Sequence, residues 1–160
     1  MFGSGSTGAM GAAARGFKRG GGKTHGVIPN FFKDELSDYV DYHCDEMTYT
    51  ETMRERKGVM EDLADGFVIA PGGVGTFEEF FEVLTLKQLG RHSKPMVMLN
   101  TLGYYDALVQ AMEKAADFGF MSRNCLTLFA LCDSPEAAVE RCGLREENRG
   151  GIRRLSDYNR

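Results

Sequence analysis

Along the chain, short apolar runs alternate with longer segments whose apolar residues recur at helical spacing. Glycine, proline or a polar cap separates each from the next. This pattern predicts a helix over 9–19, stopped by Gly20-Gly21-Gly22, and a strand over 24–28 closed by Pro29. Residues 30–45 are polar and aromatic and read as a loop with one helical turn. Residues 46–50 alternate as a strand does, and 52–65 are helical up to Gly66. A buried strand over 67–70 is followed by a helix over 76–89, a strand over 95–99 and a helix over 104–118 with Gly119 at its end. The last strand is predicted over 126–131. Ser134 and Pro135 then supply an N-cap and a first helical residue for a helix that runs to Cys142. Residues 145–160 are charged and contain glycine, and read as a disordered tail behind a single domain over 1–144.

Strands that alternate with helices define an α/β domain, here a doubly wound, Rossmann-like parallel sheet with helices on both faces. In such folds ligands sit at the carboxyl ends of the strands, where the glycine-rich turns of this chain would lie. At 160 residues the chain has the length of one domain with a substantial core. Its net charge of -4 argues against nonspecific binding of nucleic acid, which depends on Lys and Arg neutralising phosphates, but leaves room for one basic pocket. Cys44, Cys125, Cys132 and Cys142 show no metal-like pairing and read as free thiols of a reducing compartment. No apolar run approaches the length of a bilayer span and no signal peptide is evident, so the cytoplasm is the expected location and no membrane partner is expected.

The candidate chemistry centres on Ala70-Pro71-Gly72-Gly73-Val74-Gly75-Thr76-Phe77-Glu78-Glu79, placed between a strand and a helix. Three glycines within four residues let the backbone approach a ligand and permit positive φ. The N–H groups that open the next helix suit a phosphate. Upstream, Met53, Arg56, Lys57, Met60, Leu63 and Ala64 share one helix face, so two cations interrupt an apolar stripe. Either both side chains stretch past the stripe to solvent, or they hold an anion, for which the planar fork of Arg is suited. Glu78 and Glu79 fall in the predicted first turn, where a carboxylate favours the helix dipole. Glu79 satisfies that role less neatly, because it shares a face with Val83 and Leu86. The helix over 76–89 is apolar around most of its circumference, through Phe77, Phe80, Phe81, Val83, Leu84, Leu86 and Leu89. It is covered either by neighbouring helices of its own domain or by a second subunit.

These residues resemble the LONELY GUY (LOG) family, once widely labelled lysine decarboxylase. The family signature is a Pro-Gly-Gly-x-Gly-Thr-x-x-Glu loop with an upstream Met-x-x-Arg-Lys. Both stand intact, as Pro71 to Glu79 and as Met53, Arg56 and Lys57. The opening Phe2-Gly3-Ser4-Gly5-Ser6-Thr7-Gly8-Ala9-Met10-Gly11 looks like the family's second glycine loop. Val27-Ile28-Pro29, Gln88-Leu89-Gly90 through Lys94-Pro95, and Gly103-Tyr104-Tyr105 look like further landmarks. The resemblance covers roughly residues 1–142. By that resemblance a first strand and first helix would precede Met1, so the domain is expected to lack them.

The resemblance implies hydrolysis of the N-glycosidic bond of nucleoside 5'-monophosphates, such as AMP and cytokinin riboside monophosphates, to a free base and ribose 5-phosphate. It implies that Arg56 and Glu79 stand together at the scissile bond as catalytic residues. Gly72, Gly73, Val74, Gly75, Thr76, Phe77 and Glu78 would bind substrate, with Thr85 and Glu35 lining the pocket. Lys57 would be either a second ligand or a packing cation. The family forms homodimers with the nucleotide site near the interface. Neither a cofactor nor a metal is expected. Pyridoxal phosphate would need a lysine in a Schiff-base setting, and Lys57, Lys87 and Lys94 show none. His25, His43 and His92 are scattered. The competing reading is a protein of the same architecture that binds a nucleotide without cutting it, or carries molybdenum cofactor.

Overall fold

The alternation of short apolar runs and amphipathic segments folds into parallel strands joined by helices. The computed structural model describes residues 1–143, with Asp34 described by its backbone alone. The predicted tail over 145–160 lies outside the described residues. The chain divides into two compact units, Met1–Ala64 and Asp65–Arg160, the second described as far as Gly143.

In the first unit, β1 (His25–Pro29) and β2 (Glu46–Thr50) pair in parallel, with His25 opposite Glu46 and Pro29 opposite Thr50. Phe2 extends the pairing. Its N–H donates to the His25 carbonyl at 2.9 Å, and its carbonyl accepts from the Val27 N–H at 3.0 Å. α1 (Gly8–Arg19) begins with Gly8 at a φ of 60° and ends at the glycine run, where Gly21 also takes a positive φ. Residues 30–45 hold more structure than one helical turn: α2 (Phe31–Glu35) and a 3-10 turn, Ser37–Tyr39. Their backbone is tied to the N-terminal loop, because Ser6 N–H donates to the Tyr39 carbonyl and Asp41 N–H to the Ser4 carbonyl. α3 (Met53–Leu63) packs on β1 and β2. Thr52 caps it by accepting from the Glu55 N–H at 3.1 Å, while the Glu55 carboxylate accepts from the Glu51 N–H at 2.8 Å. That reciprocal arrangement satisfies donors the helix start would leave unpaired.

In the second unit the strand order is β3 (Phe67–Ile69), β4 (Met96–Leu99), β5 (Ala130–Cys132), all parallel. α4 (Val74–Gln88) connects β3 to β4, and α5 (Asp106–Asp117) leads from β4 towards β5. α6 (Pro135–Gly143) packs on all three strands. Ser134 accepts from the Ala137 N–H at 3.2 Å, as an N-cap should. Met96, Val97 and Met98 are buried, so β4 is covered on both faces, as expected of a parallel sheet between helices. The core of this unit joins Ile69, Met96 and Met98 to Phe80, Val83 and Leu84 of α4, with Tyr105, Met112, Leu128 and Phe129. The fold class is therefore α/β, with parallel strands flanked by helices in Rossmann-like fashion.

Two boundaries differ from expectation in ways that matter. α4 starts at Val74, two residues early, so Val74 and Gly75 belong to the helix and Gly73 is its N-cap. No acidic residue lies in its first turn. Glu78 and Glu79 are thus displaced from the position that a macrodipole account needs. The last strand is Ala130–Cys132 rather than 126–131. Ser122 accepts from the Asn124 N–H and starts a 3-10 turn, Arg123–Thr127, which buries Cys125. An apolar run can be buried by a turn as well as by a strand, and hydrophobicity alone does not separate the two.

All four cysteines are free thiols. Among the described residues no helix is long and apolar enough to cross a membrane. Nor is any group of three or more His, Cys, Asp and Glu placed to hold a metal ion.

Candidate functional site

The loop after β3 is held from outside by two adjacent tyrosines. Tyr105 Oη donates to the Ala70 carbonyl and Tyr104 Oη to the Gly72 carbonyl, each at 2.6 Å. Asn100 sets their backbone: its Oδ1 accepts from the Tyr105 N–H at 2.7 Å, and its Nδ2 donates to Asp106 at 2.8 Å. The sequence marked Tyr104 and Tyr105 as landmarks without indicating this task. The signal was a tandem of tyrosines directly after Gly103, which has a φ of 71°.

Tyr105 is fully buried, and burial, helped by Tyr104, pushes its hydroxyl up to about 12 from an ordinary 10.0. The folded state holds the proton more tightly than the unfolded chain does. This contribution to stability is therefore complete below pH 10 and is lost as the pH rises towards about 12. Tyr105→Phe is expected to lower unfolding stability at neutral pH by about 1 kcal/mol and to remove that alkaline component. Urea titrations of both proteins between neutral and alkaline pH check both effects.

The three glycines of the loop serve different ends. A Cβ on Gly72 would overlap Thr76 Oγ1 and stand 2.9 Å from Thr76 Cβ, so Gly72 is required by the packing of this turn. Gly73 and Gly75 would meet nothing within 4 Å. None of the three has a positive φ, so the loop does not use the freedom that its glycines permit. Gly73 is exposed, at φ −97° and ψ −151°. At Gly73 and Gly75, neither backbone conformation nor packing within this unit calls for glycine. Glycine at Gly73 also suits its place as the N-cap of α4, and the open surface leaves room for a ligand to approach the backbone.

Val74 is exposed, and Thr76 and Phe77 are half-buried. The first N–H groups of α4 follow Gly73, an N-cap with no side chain to accept from them. Glu78 is exposed and Glu79 half-buried. Thr85 is exposed, and its hydroxyl donates to the Phe81 carbonyl one turn back at 2.7 Å. The all-round apolar helix resolves into two sides. Phe80, Val83 and Leu84 enter the core, while Val74 and Phe81, with Leu89 just beyond the helix, are exposed.

In the first unit, Arg56 does not reach for solvent. It is the buried residue of α3, 7% exposed, and its Nε donates to the Val27 carbonyl at 3.1 Å. It lines a pocket of about 290 Å³ at the end of β1, together with the N-terminal loop at Gly3 and Thr7, Met10, Phe32, and Tyr39. Apart from Arg56 and the hydroxyls of Ser4, Thr7 and Tyr39, the lining side chains are apolar. Lys57 is half-buried one position on. Glu35 ends α2, is exposed, and is not among the residues that line this pocket; Phe32 of the same short helix is. Met10 belongs to the opening glycine loop that the sequence marked, whereas Phe32 and Tyr39 carried no motif, and only the fold of 30–45 over the N-terminal loop brings those two in.

A family model described as "Possible lysine decarboxylase" matches residues 10–142. A cytokinin riboside 5'-monophosphate phosphoribohydrolase of Mycobacterium marinum is 39% identical over 142 residues, which is 89% of this chain and 75% of that protein. A protein of the same name from Mycobacterium tuberculosis is 37% identical with the same coverage. One from Arabidopsis thaliana is 40% identical over 122 residues, 76% of this chain and 56% of that protein. The intact glycine loop, the buried arginine and these matches together place the chain in the LOG family of phosphoribohydrolases, the family that the lysine-decarboxylase model describes.

Proposed function

We propose that this protein hydrolyses the N-glycosidic bond of nucleoside 5'-monophosphates, AMP and cytokinin riboside monophosphates among them, to release the base and ribose 5-phosphate. The observation that carries the reading is the pinned turn after β3, left open at Gly73 and Gly75 at the start of α4, in a chain 39% identical to a phosphoribohydrolase. A phosphate bound there would accept from the N–H groups of residues 73–76 and the Thr76 hydroxyl, with the helix dipole in its favour. Gly72, Phe77 and Glu78 complete that turn.

Breaking the bond leaves positive charge on the ribose ring. In this reading Glu79 stabilises that cation and takes a proton from the attacking water. Arg56 holds the ribose hydroxyls or the phosphate with a fork that stays charged. Lys57, Thr85 and Glu35 are further substrate-binding residues. The working form is a homodimer in the cytoplasm, and the exposed Val74, Phe81 and Leu89 along α4 fit burial against a second copy.

Gly73→Ala tests the phosphate loop. No atom opposes the new methyl, but Gly73 is the N-cap of α4 and alanine is a poorer cap than glycine, so stability should fall by about 1 kcal/mol at most and the variant should remain folded. KM for AMP should rise by about tenfold or more, because the methyl stands where the phosphate approaches and a hydrogen bond to a charged group is lost. An unchanged KM in a fully folded variant would place the phosphate elsewhere.

A further inference from the structure

Both Gly3 and Arg56 are tied to one residue of β1. Val27 donates its N–H to the Phe2 carbonyl next to Gly3, and its own carbonyl accepts from Arg56 Nε. The guanidinium therefore lies beside Gly3. A Cβ built on Gly3 would overlap Arg56 Nη2 and stand 3.2 Å from Arg56 Cζ. Such an overlap is easily relieved when the side chain ends in solvent, but Arg56 is buried and bonded at Nε. The loop cannot step aside either. Phe2 is paired to β1 on one side. On the other, Ser4 is fully buried at a φ of 60°, donates from Oγ to the Asp41 carbonyl at 3.1 Å, and accepts from the Asp41 N–H at 2.6 Å. A non-glycine residue keeps that φ only where its surroundings over-determine it. Gly3 itself does not have a positive φ, so backbone freedom does not account for it.

We infer that Gly3 is a positioning residue: the side chain it lacks leaves the slot in which the Arg56 guanidinium stands. Its bearing on turnover rests on the reading of Arg56 given above; the placement itself does not.

The test is a cycle of Gly3→Ala, Arg56→Lys and the double variant. It is read by thermal midpoint, by the ¹⁵N resonance of the Arg56 Nε–H (assigned by its loss in Arg56→Lys), and by AMP turnover. Gly3→Ala should displace or broaden that resonance, lower the midpoint by several degrees, and lower turnover by about tenfold or more. In the Arg56→Lys background, where the side chain ends short of the slot, Gly3→Ala should leave the midpoint unchanged. An unmoved resonance, or an equal loss of midpoint in both backgrounds, would overturn the inference. If Gly3→Ala alone does not fold, a folded double variant supports the slot and an unfolded one refutes it. A displaced resonance with full turnover would uphold the role of Gly3 and remove Arg56 from the reaction instead.

Discussion

Glu79→Gln is expected to lower kcat for AMP by at least about 100-fold while the affinity for AMP stays within about threefold of the parent. Gln has the shape of Glu and keeps an acceptor, so contacts to bound nucleotide are largely preserved. It carries no charge, so it neither opposes the cation that forms on the ribose ring nor takes a proton from water. The helix dipole does not account for the position of Glu79. It lies beyond the first turn of α4, where the helix dipole gives a carboxylate little, and it is half-buried on a helix side shared with buried Val83 and half-buried Leu86. Steady-state kinetics with calorimetric AMP binding checks the prediction. Loss of binding in step with loss of rate would make Glu79 a binding residue only.

Arg56→Lys should be nearly as damaging, with kcat/KM lowered by roughly 100-fold. The substitution keeps the charge but loses the division of labour that burial imposes. The guanidinium gives Nε to the Val27 carbonyl and belongs to a residue that lines the pocket, and its planar fork suits an oxyanion. An ammonium is a single point of charge and cannot serve the carbonyl and an oxyanion in fixed geometry at once. Stability should also fall, because a buried carbonyl loses its partner. A thermal melt beside the kinetics separates the two effects, and a lysine variant with unchanged kcat/KM would show that charge alone suffices.

The sequence carried the sites where chemistry and local backbone coincide. Pro71 to Glu79 announces a strand, a turn and a helix as well as a candidate phosphate loop, because glycine density, the apolar run before it and the periodicity after it are all local signals. Arg56 was visible as a cation on an apolar stripe, but its direction was not. Solvent and interior are both reachable from that position, and the Val27 carbonyl that decides between them lies 29 residues away. The same distance effect hid the two tyrosines, since Tyr105 meets Ala70 across 35 residues of chain. Gly3, Gly72 and Gly73 look alike in sequence. Only their neighbours show that the first makes room for a guanidinium, the second for Thr76, and the third for nothing within its own unit.

The most direct measurement is to incubate the purified 160-residue chain with AMP and separate the products by chromatography. Free adenine and ribose 5-phosphate in equal amounts, absent with Glu79→Gln, is the predicted result. Unchanged AMP, or adenosine with inorganic phosphate, would contradict cleavage of the N-glycosidic bond by this protein.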